Sequence, residues 1–154
     1  MIVYRITKAE KRATDISGLG AFKEGGRWNS AGTYMLYTSE NRSLAYLENL
    51  VYFDPYNAPP NLYIISLELK AEPNLIYTLP LASYTKDWMQ KGNKENKFIG
   101  DHLMAERKFI AIKVRSAVNP YEFNFLLNPL FHGYHDIVKI NAVEKLNIDS
   151  RLIK

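Results

Sequence analysis

Apolar and polar positions alternate along residues 2–6 and 62–69, and recur at three- and four-residue spacing along 44–53 and 97–107. Glycine, proline and asparagine fill the gaps between these stretches. The alternation predicts strands at 2–6, 33–38, 62–69 and 109–114, with a last one near 136–140. In the strand at 62–69, Tyr63, Ile65, Leu67 and Leu69 form the expected core face. Helical spacing predicts 44–53, a short helix around 86–91, and 97–107, whose inward side reads as Phe98, Ile99, His102, Leu103 and Glu106. Prolines break the chain at 54–60, and Asn124 and Asn128 bracket an apolar triplet as turn-forming residues. The tail 142–154 reads as a polar edge segment. Strands outnumber helices and the connections are short. The expected fold is therefore α+β, mixed, with largely antiparallel sheets and flanking helices, in a single domain spanning 1–154.

The helix at 44–53 contains an anomaly. Asn41, Arg42 and Ser43 supply its start chemistry. At about 100° per residue, Leu47, Val51, Leu44, Glu48, Tyr52 and Ala45 follow one another around one side. Glu48 thus falls inside the apolar stripe. A carboxylate there either becomes neutral or finds a cation and hydrogen-bond donors. Arg27, on a loop framed by Gly25, Gly26 and Gly32, is the nearest candidate cation. The pair reads either as a structural ion pair or as part of a binding site, and the glycines, which let a backbone approach a ligand closely, favour the second. Tyr37, at the end of the preceding strand, reads as a core aromatic or as part of the same site.

Charge and composition narrow the partners. With 47% hydrophobic and 13% aromatic residues, 11 of them tyrosine, the chain is globular and not disordered. The net charge of +4 is spread without a basic block or helix face, so nucleic acid is not an expected direct partner, while a small anion is. There is no cysteine, which excludes disulfides and thiolate chemistry. The N-terminus has no signal-like leader and no segment reaches a membrane-spanning length, so a cytoplasmic protein is expected. Exposed tyrosines are compatible with a homodimer.

Several chemistries are disfavoured. The glycines of 18–32 follow neither the P-loop nor the dinucleotide pattern. Ser39 and Ser116 lack a nucleophile-elbow frame. His132 and His135 stand three apart but flank a glycine, which favours a loop over a metal site, and His102 reads as a core histidine. No metal or cofactor is expected. An arginine, a tyrosine, a glutamate and hydroxyls suit cleavage of an activated glycosidic bond: a carboxylate stabilises the ribosyl cation and an arginine fork holds phosphate. NAD fits both as a substrate.

Tyr4-Arg5, Gly18-x-Gly20-Ala21, Gly25-Gly26-Arg27-Trp28-Asn29-Ser30-x-Gly32, Tyr37-Thr38-Ser39-Glu40, Leu44-Ala45-x-Leu47-Glu48, Ile99-Gly100-Asp101, Ser116-Ala117-Val118 and Asn124-x-Leu126-Leu127-Asn128-Pro129, in this order, resemble the RES domain family. That family supplies the toxin of RES-Xre toxin–antitoxin pairs. The resemblance implies a fold similar to ADP-ribosyltransferase toxins and depletion of NAD, with water or inorganic phosphate as co-substrate, or else ADP-ribosylation of a protein. It places the family's arginine, glutamate and serine on Arg27, Glu48 and Ser116, and its pocket tyrosine on Tyr37. In these roles Arg27 holds phosphate, Tyr37 packs on nicotinamide, Glu48 stabilises the ribosyl cation and Ser116 bonds the ribose or acceptor. Asn29, Arg5 and Asn128 become supporting substrate-site candidates. A small Xre-type helix-turn-helix antitoxin is the implied partner. Arg115, His102 and the lysine- and asparagine-rich stretch at 91–96 depart from the family pattern. An inactive module that only binds an antitoxin is the alternative of a different class.

Overall fold

The computed structural model describes residues 1–8, 10–54, 56 and 61–152. In chain order it contains β1 (Ile2–Thr7), α1 (Glu10–Ala13), α2 (Leu19–Glu24), β2 (Leu36–Ser39), α3 (Arg42–Leu50) and β3 (Leu62–Leu69). There follow β4 (Ile76–Thr78), α4 (Lys94–Glu106), β5 (Ala111–Arg115), β6 (Phe123–Leu127), α5 (Tyr134–Ile137) and β7 (Val138–Leu146). The strands form one sheet in the order β4-β5-β6-β2-β1-β3-β7. Only β4 and β5 run parallel; every other neighbouring pair is antiparallel. The α+β, largely antiparallel expectation is met by one sheet in place of several.

Both faces of the sheet are covered at its inner strands, while β7 is largely exposed. Ile65, Leu67 and Leu69 pack with Val3, Leu36, Phe125 and Leu127, as the alternation in β3 implies. The opposite face is buried too: Leu62 and Ile64 meet Tyr4, Ile6, Tyr46 and Phe53. A strand covered on both faces reads as a near-continuous apolar run, and Leu62–Leu69 is one. At the far edge, β7 is longer than expected and carries a bulge opposite Ser66 and Leu67. Bulges and edge lysines discourage pairing with a further strand.

Several expected elements shift for identifiable reasons. Strand β2 starts at Leu36, not at 33, because the Thr33 carbonyl is taken by the Asn29 amide at 3.1 Å. No helix forms at 86–91; that stretch is a series of turns, cross-braced by Asn93 Nδ2 donating to Thr85 Oγ1 and the Asp87 carbonyl. Helix α4 begins earlier than expected, with the Asn93 side chain capping the Asn96 N–H. Its inward face is Asn96, Gly100 and Met104, with Ile99 and Leu103 partly buried. Phe98 is 72% exposed, and His102 is not a core histidine: it faces solvent and pairs with Glu106 at 3.0 Å. Asn124 lies inside β6 and not at a turn, whereas Asn128 does make one, accepting from the Leu130 N–H. Most of the proline-rich connection at 54–60 lies outside the described residues, as do the last two residues of the tail. Among the described residues, no helix is long and apolar enough to cross a membrane and no three potential metal ligands cluster.

Gly100 lets α4 dock against the loop that carries Arg27. A Cβ at this position would stand 1.7 Å from the Trp28 carbonyl oxygen, a backbone atom that cannot step aside. Gly100→Ala is therefore expected to destabilise by at least ~1–3 kcal/mol, the usual cost of overpacking. That lowers the melting temperature by roughly 3–10 °C in a chain of this size. Gly20→Ala is the control, since nothing lies within 4 Å of its added Cβ and it sits in α2. Its melting temperature should hold or rise in the same thermal scans.

Candidate active site

A cleft of about 660 Å³ opens between the glycine-rich loop, β2, the end of α3 and the turn at 89–91. Glu48 reaches it from α3, whose first turn is capped by the Asn41 side chain accepting from the Leu44 N–H at 2.8 Å. Leu44 and Ala45 anchor that helix in the core. The rest of the apolar stripe is not buried: Val51 and Tyr52 are 57% and 65% exposed and line the cleft. Glu48 thus borders the cleft and does not sit in a sealed apolar face.

Hydrogen bonds, not a cation, hold its carboxylate. Oε1 accepts from Ser116 Oγ and from Asn124 Nδ2, both at 2.6 Å. Asn124 is itself oriented by Ser39 Oγ donating to its Oδ1 at 2.9 Å, across the β2–β6 register that pairs the two residues. Among the described residues Oε2 accepts no hydrogen bond, so one oxygen is fixed and the other is uncommitted. Ser116 is fully buried; its hydroxyl donates to Glu48 and accepts from the N–H groups of Val118 and Asn119. That exhausts its capacity, so it supports Glu48 and has nothing left for a ribose or an acceptor.

Arg27 does not pair with Glu48. Its Nη1 donates to the carbonyls of Trp88, Met89 and Gln90, at 3.3, 2.6 and 3.4 Å. Among the described residues its Nε and Nη2 donate to nothing. The guanidinium is thus tethered by one nitrogen, and its remaining donors are unspent in a residue that lines the cleft. The loop below it is held by Tyr37, whose hydroxyl accepts from the Trp28 N–H at 3.0 Å and donates to Asn29 Oδ1 at 2.7 Å. Burial pushes that hydroxyl well above the ordinary tyrosine range, against the opposing pull of the Trp28 N–H. Asn29 is fully buried and spends its amide on the carbonyls of Ala21, Ser30 and Thr33. It shapes the loop and does not face the cleft.

Two further candidates separate. Arg5 lines the cleft and donates to the Asp15 carbonyl at 3.0 Å; burial lowers its pKa while the Asp15 carboxylate opposes the shift. Asn128 lies elsewhere, with its amide on the Met104 carbonyl and its side chain beside a separate groove that includes Asp101 and Arg107. It belongs to the α4–β6 junction. Sequence reasoning missed Asn124 and Ser39 as site residues. The available signal was an asparagine inside an apolar strand, where that residue type is depleted. Arg115 and Lys91 also line the cleft, giving six basic side chains (with Arg5, Arg12, Lys23 and Arg27) against three acidic ones (Asp15, Glu24 and Glu48). The balance favours an anionic ligand.

Fold and site together define an α+β protein in which a helix presents a fixed carboxylate and a loop a tethered arginine to one basic cleft. The chain belongs to the RES domain family, which it matches over residues 2–149. It is 33% identical to the protein named Toxin Res of Photorhabdus laumondii, covering 100% of this chain and 98% of that one. It is 30% identical to the Prs ADP-ribosylating toxin of a Sphingobium species, covering 92% and 89%. A chain in the crystal structure of the M. tuberculosis MbcT–MbcA toxin–antitoxin complex superposes with a TM-score of 0.71 at 16% identity, over 94% of this chain and 83% of that one. At that identity the likeness speaks to fold.

Tyr37→Phe removes the hydroxyl that serves both Trp28 and Asn29, leaving the Trp28 N–H and Asn29 Oδ1 unpaired. The expected loss is ~1–3 kcal/mol, read as a lower midpoint in urea unfolding. The native state also holds the Tyr37 proton where an unfolded chain, with an ordinary pKa of about 10, releases it. This contribution to stability is complete below about pH 10 and is lost as pH rises further. Wild-type stability should therefore fall above that pH, and fall less steeply in Tyr37→Phe.

Proposed function

We propose that this protein is the toxin of a bacterial toxin–antitoxin pair and that it depletes NAD by breaking the nicotinamide–ribose bond, with phosphate or water as acceptor. The carrying observation is the Glu48 carboxylate, fixed through Oε1 by Ser116 and Asn124 with Oε2 left to the cleft. A carboxylate positioned in advance stabilises a ribosyl oxocarbenium ion without reorganising when charge develops. Arg27 contributes its Nε and Nη2 to the pyrophosphate or the acceptor phosphate, a fork suited to phosphate oxygens. The Tyr37 ring packs against nicotinamide, while its hydroxyl stays engaged with the Arg27 loop. Ser116 acts through Glu48. The names of the relatives support the toxin role, and a small Xre-type helix-turn-helix antitoxin is the proposed partner.

The Sphingobium relative's name supports a second reading, transfer of ADP-ribose to a protein, which breaks the same bond with a different acceptor. Purified protein incubated with NAD, with and without inorganic phosphate, and products resolved by mass, separates the outcomes. Phosphate-dependent loss yields ADP-ribose 1″-phosphate; phosphate-independent loss yields ADP-ribose. Label from NAD left on a protein band in cell lysate, with free NAD intact in the purified assay, moves the reading to transfer. No reaction in either assay leaves an antitoxin-binding module.

Glu48→Gln should lower kcat by roughly 10²–10³-fold, the scale of losing one positioned electrostatic group, with an unchanged melting temperature. Arg27→Ala should act mainly on KM, by roughly 10-fold or more, as expected for a charged hydrogen bond to substrate. Both variants should relieve growth inhibition when expressed without antitoxin. A folded variant of either kind that still arrests growth refutes the assignment.

A further inference from the structure

The turn that grips Arg27 is itself gripped from behind. The Trp88 carbonyl accepts from Arg27 Nη1 at 3.3 Å and from Asn96 Nδ2 at 2.6 Å. Asn96 stands in the first turn of α4 and is 1% exposed. Its Oδ1 is the one buried side-chain polar atom among the described residues that has no hydrogen-bond partner. A buried acceptor without a protein partner offsets part of what the asparagine's own hydrogen bond contributes. What it gains is a short bond to the first of the three carbonyls that hold the guanidinium.

The same face of α4 secures the rest of the Arg27 support. Gly100 abuts the Trp28 carbonyl, and Asp101 Oδ1 accepts from the Ser30 N–H at 2.9 Å. Those two contacts fix the loop that carries Arg27; Asn96 fixes the turn that its side chain reaches. The three carbonyls, and not Glu48, receive the guanidinium, although both charged groups line one cleft. A slack turn would release the guanidinium from that fixed place.

We infer that Asn96 is a positioning residue for Arg27: by bonding the Trp88 carbonyl it holds the 88–90 turn in place, and so keeps Nε and Nη2 of Arg27 available to the anionic part of the substrate. The inference rests on the reading that Arg27 binds that group. Asn96→Leu, which keeps the branched heavy-atom shape of the side chain, deletes the donor together with the unpaired acceptor. Three quantities are read: melting temperature, NAD kinetics, and the side-chain Nε–Hε resonance of Arg27, assigned by its loss in Arg27→Lys.

The expected result is a melting temperature unchanged or raised, KM for NAD higher by about five- to ten-fold, the equivalent of one hydrogen bond, and kcat within about twofold. The Arg27 resonance should move toward that of a free arginine side chain. An Arg27 resonance unmoved in Asn96→Leu overturns the assignment whatever the kinetics, and a fall in melting temperature with that resonance in place makes Asn96 a purely structural residue. If wild-type protein leaves NAD intact, the NAD reading fails by itself and the Arg27 resonance alone decides the role of Asn96. Asn96→Ser, too short to reach the carbonyl, goes through the same measurements should the leucine variant not fold.

Discussion

The hydroxyl of Tyr37 ties the glycine-framed loop to the sheet, and the site depends on that tie. Its oxygen accepts from the Trp28 N–H and its proton goes to Asn29 Oδ1, so the residues on the C-terminal side of Arg27 are pinned to a central strand. Asn29 then spends its own amide on three loop carbonyls, which keeps a buried, irregular backbone satisfied. Gly26 sits beside this node because a Cβ there would stand 2.6 Å from the Tyr37 oxygen. A loop built in this way has little freedom left, and Arg27 inherits its position.

The second half of the site depends on register. Ser39 and Asn124 face one another across the β2–β6 ladder, and Ser39 hands its proton to the Asn124 carbonyl oxygen. The amide nitrogen is thereby committed to Glu48. Ser116 follows directly on β5, the other neighbour of β6, and supplies the second donor. A slip of one residue in either ladder would turn these side chains to the opposite face. The carboxylate is thus placed by a helix but oriented by the sheet, and Arg27 and Glu48 are supported by separate networks that share only the strand carrying Tyr37 and Ser39.

How much of this was legible in the chain varied with the kind of signal. Strand β1 was readable by its alternation and β3 as a short, near-continuous apolar run. The anomaly of Glu48 was readable too, as a carboxylate among apolar residues, but its partners were not: two donors from β6 and the end of β5 lie far along the chain. The expected Arg27 cation was diverted to backbone carbonyls, which no side-chain pattern announces. Helix α4 was misread on its face because Phe98 is the more hydrophobic residue, whereas docking selected Asn96 and Gly100 for contacts that hydrophobicity does not measure. Ser116 and Asn29 were legible as important residues and illegible as buried ones.

This division has a physical cause that bears on the chemistry. Hydrophobic period reports what water expels, and it recovered five of the seven strands of the sheet, missing β4 and β6. The charged side chains of the cleft are held instead by polar groups, so their placement follows hydrogen-bond capacity: a hydroxyl with its proton and both lone-pair positions committed, an amide with a single permitted orientation, a guanidinium tethered through one nitrogen. Counting those capacities identifies what is left over. On Glu48 it is Oε2, and on Arg27 it is Nε and Nη2. A protein that satisfies nearly every buried polar atom, yet leaves these in one basic cleft, offers there the donors and the charge that an anionic ligand can use.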